Sequence, residues 1–196
     1  MSINASLVAE LKKKTSAGLG DCKEALLASN GDLEQAVVYL RKKGLADIKE
    51  RENRTASEGS VGHYIHLGGK IAVLCEVNCE TDFCSKSPDF QTFTKEVSMH
   101  IAATNPLWIS RSEVPEEIIK RETDIALNNI DPNKPQQVLE KIVTGRLNKF
   151  YKETCLLEQP FVRDQNITVQ DLLGGLAAKV GEKIVIKRFV RFAVGS

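Results

Sequence analysis

Histidine and cysteine, the usual ligands of zinc, are concentrated in one part of the chain. The residues concerned are His63, His66, Cys75, Cys79 and Cys84. Their types suit zinc, but their spacing does not. His63 and His66 are three residues apart in a segment with strand character, so they would face opposite sides of the strand. No two cysteines have the two-residue separation of a zinc knuckle. The pattern therefore favours ordinary buried or surface residues, and no metal site is expected.

A nucleophilic thiol is the second chemistry that these residue types allow. A reactive cysteine needs a lowered pKa, which a cation, a histidine or a helix amino terminus can provide. Cys84 precedes a predicted helix at Ser87, and His100 follows a helix length later. The sequence identifies no third group to orient the histidine, so an enzyme is disfavoured. Gly68-Gly69-Lys70 lacks the strand-loop-helix context of a phosphate-binding loop and predicts a hairpin turn instead.

The segment Glu80-Thr81-Asp82-Phe83 is the third candidate, and no periodic pattern accounts for it. It places a carboxylate and a large aromatic ring at the exit of a predicted strand. One interpretation is a helix cap followed by a core phenylalanine. The other is a wedge that enters a pocket of another protein.

Composition narrows the class of partner. The 196-residue chain is 42% hydrophobic and 27% charged, with a net charge of +1, as in ordinary globular proteins. A net charge near zero argues against direct binding of nucleic acid by neutralising many phosphates. It does not exclude binding by a local basic stripe such as Lys187, Arg188 and Arg191. We therefore expect a protein partner. The sequence shows no membrane-length apolar run and no secretory or transit pattern, and its odd number of cysteines suits a reducing compartment, so we predict a cytoplasmic protein.

Three short helical patterns open the chain and predict a small helical module. Apolar residues recur at spacings of three or four, as on one face of a helix. They are Leu7, Val8 and Leu11; Cys22, Ala25 and Leu26; and Leu33, Ala36, Val37 and Leu40. Asn30-Gly31-Asp32 supplies a turn and an N-cap for the third helix, which Gly44 can end. The charged stretch 46–60 is predicted to be a linker that is partly helical. Residues 1–54 are therefore predicted to be a three-helix module and its linker.

Strand-like alternation begins at Val61 and predicts a mixed domain over 55–196. Residues 61–66 and 70–78 are predicted to form a β-hairpin that turns at Gly68-Gly69. Ser87 and Pro88 are expected to start a helix. Two further helices, beginning near Pro115 and Pro135, are expected to form a helical hairpin. Their predicted core residues are Ile118, Ile119, Ile125 and Ala126 in the first, and Leu139, Val143, Leu147 and Phe150 in the second.

The carboxyl-terminal segment predicts one more helix and a closing strand. Thr168 and Asp171 form a variant of a capping box, and Gly181 is the expected stop. In the strand, alternation places these residues on one face: Ile184, Ile186, Val190, Phe192 and Val194. The predicted fold class is α+β, an antiparallel sheet packed with helices behind a helical module.

Several motifs, in order along nearly the whole chain, resemble the elongation factor Ts family. Residues 15–26 resemble its first signature, in a ubiquitin-associated-like module, and residues 78–83 its second and most specific one. The further matches are residues 99–102, 140–142, 145–147, 156–162 and 188–192. The chain departs from the family at Leu19-Gly20, where two bulky residues are common, and at Cys84, where valine is frequent. It resembles the short form of the family, which tends to pair as a homodimer.

The resemblance implies a guanine-nucleotide exchange factor for elongation factor Tu in translation elongation, without catalytic residues, cofactor or metal. It implies that Asp82 and Phe83, flanked by Thr81 and Cys84, intrude near the partner's magnesium site. It implies that Leu11, Leu19 and Gly20 belong to the surface that holds the partner's nucleotide domain. His100 lies in a stretch that the family uses for the same contact, but its place beside an apolar stripe is equally consistent with a core role.

Two other classes of function remain as alternatives. An adaptor would bind a protein through the first module alone, so that Asp82 and Phe83 would be dispensable. A thiol enzyme would lose its activity on Cys84→Ser, which the exchange interpretation does not predict.

Overall fold

The computed structural model describes residues 4–15, 17–50, 53–128 and 135–195, and for 44–50 it describes the backbone only. Its described part is α+β, with helices and an antiparallel sheet. Two compact units are present: Met1–Ala102 with Gln170–Ser196, and Ala103–Val169. The predicted boundary between residues 54 and 55 stays a prediction. Among the described helices, none has both the length and the hydropathy needed to cross a membrane.

The first three helices form the predicted module. They are α1 (Ala5–Thr15), α2 (Leu19–Ala28) and α3 (Leu33–Glu50). Their shared core is Leu11, Cys22, Ala25, Leu26 and Ala36, with Leu7, Val8, Leu33, Val37 and Leu40 packed against it. The predicted N-cap is confirmed, because Asp32 Oδ1 accepts hydrogen bonds from the backbone N–H groups of Glu34 (2.9 Å) and Gln35 (3.0 Å).

The predicted stop at Gly44 is wrong, because α3 continues as a helix to Glu50. A glycine inside a helix lowers helix stability by about 1 kcal/mol relative to alanine, but its backbone can still adopt the helical conformation. The first part of the predicted linker is therefore helical.

The central sheet has three strands, β1 (Glu58–Ile65), β2 (Ile71–Cys79) and, last in the chain, β5 (Val185–Ala193). They lie in that order, and neighbouring strands are antiparallel. The hairpin between β1 and β2 turns at Gly68 and Gly69, whose φ values of 86° and 69° fall in the region that favours glycine. Along β2, the alternate residues Val73, Cys75, Val77 and Cys79 are buried.

The predicted face of β5 is wrong beyond Ile186, and a β-bulge is the cause. Val77 pairs with Ile186 while Glu76 pairs with Arg188, so Lys187 is the extra residue in β5. One extra residue reverses the alternation of side chains. Ile184 and Ile186 are buried as expected, but Val190 and Phe192 lie exposed on the other side of the sheet. Val194, which follows the strand, is exposed as well.

The helix α5 (Pro88–Thr104) packs closely against β1. It starts as predicted, since Ser87 Oγ accepts a hydrogen bond from the N–H of Phe90 at 3.3 Å. The contact with the sheet is tightest at Gly62, where an added Cβ would lie 2.7 Å from the backbone oxygen of Thr94. The residues that α5 buries include Phe90, Phe93, Val97, His100 and Ile101.

Two short elements complete this unit. The helix α4 (Asp82–Ser85) follows β2, and α8 (Val169–Val180) precedes β5. α8 buries Leu173, Leu176 and Ala177 and ends at Gly181, whose φ of 76° fits the predicted stop.

The second unit contains the predicted helical hairpin, α6 (Glu116–Asn128) and α7 (Gln136–Thr154), which pack against each other. Burial is shallower than predicted. Ala126 is buried and Ile118 and Ile119 are half-buried, but Ile125 is exposed. The predicted core residues of α7 are only half-buried: Leu139, Val143, Leu147 and Phe150. Two helices that pack against each other bury only the faces that meet.

The sequence did not reveal the remaining elements of this unit. They are the 3-10 turns Arg111–Glu113 and Leu156–Glu158 and the two-stranded sheet β3 (Pro160–Phe161) and β4 (Asp164–Thr168). Arg111 lies over the ring of Tyr151 at 4.5 Å and forms an ion pair with Glu158.

Candidate functional site

A sharp turn joins the end of β2 to the short helix α4, and we name the segment Glu80–Cys84 the β2–α4 turn. Thr81 begins it in an extended conformation, and its hydroxyl oxygen accepts a hydrogen bond from the N–H of Cys84 at 3.2 Å. The thiol of Cys79 donates to the carbonyl oxygen of Thr81 at 3.1 Å. Threonine is a favoured N-cap because its hydroxyl satisfies a free N–H of the first helical turn.

A carboxylate from a distant part of the chain holds this turn in place. One oxygen of Glu182 accepts hydrogen bonds from the N–H groups of Glu80 and Thr81, both at 3.0 Å, and the other accepts from the Thr81 hydroxyl at 2.6 Å. In return, the carboxylate of Glu80 accepts from the N–H of Lys183 at 2.6 Å and forms an ion pair with Arg54. Each segment therefore supplies a carboxylate that accepts hydrogen bonds from the other: Glu182 from the β2–α4 turn, and Glu80 from the loop after Gly181.

Asp82 presents its negative charge at the start of α4. Its carboxylate forms an ion pair with Lys86, one helical turn later, at 2.7 Å. The hydrogen bond from Lys86 holds the pKa of Asp82 below its usual value and raises the pKa of Lys86. Asp82 is therefore ionised at neutral pH, although it is paired rather than bare.

Phe83 projects into solvent. Its side chain is 83% exposed, while the nearby Cys79 and the following Cys84 are buried. This exposure contradicts the interpretation as a core phenylalanine, because a core ring would be covered. The cap is real, but the aromatic ring belongs to the surface. A large exposed ring on a fixed turn is suited to enter a pocket of another molecule.

The geometry offers no support for a thiol nucleophile. Burial, Cys79 and Glu182 raise the pKa of the Cys84 thiol to about 12, the opposite of what a nucleophile requires. His100 has no exposed surface. The burial of His100 fits the core role that the sequence left open. It does not fit a contact of this side chain with a partner.

The predicted partner-binding residues of the helical module separate into two groups. Leu11 is fully buried in the core of the module, so its side chain contacts the other helices instead of solvent. Leu19 is 59% exposed at the start of α2, and a side chain at Gly20 would meet open space. The exposed Leu27 and Val38, which the sequence analysis did not single out, add apolar surface to this module.

The five zinc candidates of the sequence do not come together. Only Cys79 and Cys84 do, and they are joined by Glu182: the two sulfurs and a carboxylate oxygen lie within 4.8 Å of one another. Tyr64 hydrogen-bonds to His66 at 3.2 Å. Glu182 is the important residue of this region that sequence reasoning missed. The one available signal was an acidic residue directly after the stop glycine of α8.

Comparison with known proteins gives a consistent result. A family model described as Elongation factor TS matches residues 4–196. The chain is 53% identical over 196 residues to Elongation factor Ts of Geobacter sulfurreducens, covering 100% of this chain and 91% of that protein. It is 52% identical over 194 residues to Elongation factor Ts of Moorella thermoacetica, covering 98% and 96%. A third relative, Elongation factor Ts of Syntrophus aciditrophicus, is 45% identical over 196 residues, covering 100% and 98%.

Proposed function

The chain belongs to the elongation factor Ts family, and on that premise we propose that it releases GDP from elongation factor Tu by inserting the β2–α4 turn beside the magnesium and phosphate site of that GTPase. Membership in this family implies a nucleotide exchange factor of translation elongation, which acts through binding rather than through covalent chemistry. Its place of action would then be the cytoplasm.

The observation that carries the proposal is the exposure of Phe83 on a turn whose backbone is held by hydrogen bonds. Glu182 accepts from the N–H groups of Glu80 and Thr81, and the Thr81 hydroxyl accepts from the N–H of Cys84. Burying a phenylalanine side chain contributes about 1.5–3 kcal/mol. If the pocket for Phe83 opens only when the partner's switch region moves, this energy favours the open state selectively. Each 1.4 kcal/mol of such coupling lowers the affinity for GDP about tenfold.

Asp82 is proposed to act on the magnesium site. Magnesium bridges phosphate oxygens and protein oxygens, so any displacement of its ligands weakens phosphate binding. A carboxylate brought beside these ligands competes for the ion and repels the phosphates. The lowered pKa of Asp82 keeps this charge in place at neutral pH.

By linkage, GDP weakens binding of the factor as much as the factor weakens binding of GDP. The factor therefore accelerates release without selecting which nucleotide binds next.

The helical module is proposed to provide a second contact, with the nucleotide domain of the partner. The exposed Leu19 and the open space at Gly20 support this role. Leu11 would then contribute indirectly by holding α1 against the other helices. Ion pairs of Lys43 with Asp21 (2.9 Å) and Glu24 (2.7 Å) connect α3 to α2 in this module.

A homodimer is also proposed, in which a second copy covers the outer face of the three-stranded sheet. Apolar side chains lie exposed on all three strands of this face: Val61, Ile65, Leu74, Val190 and Phe192. Sheets that pack face to face bury such surfaces against each other. Sedimentation of the chain should therefore show a dimer that Phe192→Asp shifts toward monomer; an unmodified chain that sediments as a monomer at micromolar concentration would disprove this arrangement.

The exchange mechanism is tested by deleting one contact at a time. The Asp82→Ala, Phe83→Ala double variant should still bind elongation factor Tu but lose most of the acceleration of GDP release. A chain without residues 1–54 should bind more weakly. If the unmodified chain binds without accelerating release, and the deletion abolishes binding while the double variant binds normally, the adaptor is the correct function. If the double variant keeps full acceleration, the β2–α4 turn is not the surface that drives exchange.

A further inference from the structure

Metal-ligating side chains cluster beneath the β2–α4 turn. The sulfur atoms of Cys79 and Cys84 and a carboxylate oxygen of Glu182 all lie within 4.8 Å of one another. Both cysteines are buried and Glu182 is half-buried, so the group lies just below the surface. Elsewhere in the part of the chain that the structure describes, no three histidine, cysteine or acidic side chains converge in this way.

We propose that Cys79, Cys84 and Glu182 bind one thiophilic divalent cation of the Zn²⁺ type, with a solvent molecule as the fourth ligand. Two thiolates and a carboxylate are donor types that zinc prefers, and three protein ligands leave one position of a tetrahedral site open. Two sulfurs bound to a tetrahedral zinc lie about 3.8 Å apart. The present separations therefore require roughly 1 Å of movement at most, which side-chain rotation can provide.

The surroundings of Glu182 are suited to orient a metal ligand. Its oxygens accept hydrogen bonds from the N–H groups of Glu80 and Thr81 and from the Thr81 hydroxyl. Oε2 accepts two of these hydrogen bonds and Oε1 accepts one, and each carboxylate oxygen has two lone pairs, so Oε1 can bind a metal ion while it keeps its hydrogen bond. Hydrogen bonds to a metal-bound carboxylate fix its orientation and raise the affinity for the ion.

Three separate parts of the chain would become joined by one ion. Cys79 ends β2, Cys84 lies in α4, and Glu182 follows α8. Both thiol hydrogens leave as the two metal–sulfur bonds form. Metal binding would therefore make the β2–α4 turn more rigid. The proposal concerns the isolated chain, so its outcome is independent of the exchange function.

The test uses Co²⁺ and Zn²⁺ with the 196-residue chain, freed of metal and kept reduced. One equivalent of Co²⁺ should produce a near-ultraviolet charge-transfer band from two thiolates and visible bands of tetrahedral intensity, and Zn²⁺ should abolish both by displacement. Cys84→Val should halve the charge-transfer band or remove it and weaken binding at least tenfold. Glu182→Gln should keep two thiolate ligands but weaken binding by about tenfold or more.

The matched control is Cys75→Ala. Cys75 is buried on the same strand as Cys79 but is not part of the cluster. This variant should bind Co²⁺ like the unmodified chain. The proposal is overturned if the unmodified chain binds no stoichiometric metal at micromolar concentrations, or if Cys84→Val retains the full spectrum. Circular dichroism checks folding, and if Cys84→Val is unfolded the result with Glu182→Gln decides.

Discussion

The carboxylate of Glu182 should keep the β2–α4 turn in its folded conformation. The substitution Glu182→Ala measures how much free energy this contributes against local opening. The substitution removes three hydrogen bonds, to the N–H groups of Glu80 and Thr81 and to the Thr81 hydroxyl. Hydrogen bonds to charged groups contribute about 1.5–3 kcal/mol each when they are well shielded. Solvent can replace part of this here because Thr81 is exposed. We expect a net loss of about 1.5–3 kcal/mol in the free energy of local opening.

Amide hydrogen exchange measures this opening directly, residue by residue. The N–H groups of Glu80 and Thr81 should exchange about 10- to 150-fold faster in Glu182→Ala, since 1.4 kcal/mol corresponds to a factor of ten. The measurement is made on metal-free protein so that only the hydrogen bonds are tested. Amides in the middle of α5 should keep their protection. Unchanged exchange at Glu80 and Thr81 would refute the argument that Glu182 holds the turn.

Three further predictions follow from the packing and the charges. Gly62→Ala should destabilise the chain by about 1–3 kcal/mol in urea unfolding, because its Cβ would lie 2.7 Å from the backbone oxygen of Thr94. In contrast Gly145→Ala, at a helical site where no atom beyond the chain neighbours and the nearby backbone of its own helix lies within 4 Å of the added Cβ, should stabilise it by about 0.5–1 kcal/mol; equal effects would contradict the packing at Gly62. Lys43 lowers the pKa of Glu24, so their contribution to the stability of the helical module is present above the ordinary pKa of a glutamate and is lost as the pH falls through the lowered value. Thermal melts should therefore show that Lys43→Met destabilises most at neutral pH, and a difference that persists unchanged at pH 2 would refute this. All five cysteines are buried, so a thiol reagent should react slowly with the native chain at pH 8 and rapidly after unfolding, and fast native labelling of any of them would contradict the burial.

Local signals in the sequence were sufficient for most elements. Asp32 and Ser87 mark helix starts because short polar side chains satisfy free N–H groups, and the structure shows both bonds. Apolar spacing located the helices of the module and of the hairpin, and the glycine pair located the turn between β1 and β2. These signals act within a few residues, which is why they can be interpreted without a structure.

Long-range effects could not be predicted in the same way. The bulge at Lys187 depends on the pairing of β5 with β2, and it moved Phe192 from the predicted core face to the solvent face. Glu182 contacts the β2–α4 turn although the two are about a hundred positions apart in the sequence, and no local pattern predicts such a contact. The exposure of Phe83 likewise depends on how the turn is held, so the sequence left two interpretations open.

The central claim is that the exposed ring of Phe83 drives nucleotide release, and one stopped-flow experiment tests it most directly. Fluorescent GDP bound to elongation factor Tu is mixed with the unmodified chain, with Phe83→Ala or with Leu67→Ala, which truncates another side chain that is 90% exposed. We predict strong acceleration by the unmodified chain and by Leu67→Ala, and about 10- to 100-fold less by Phe83→Ala, as expected from the loss of about 1.5–3 kcal/mol of burial. Equal acceleration by all three proteins, or none by the unmodified chain, would contradict the account.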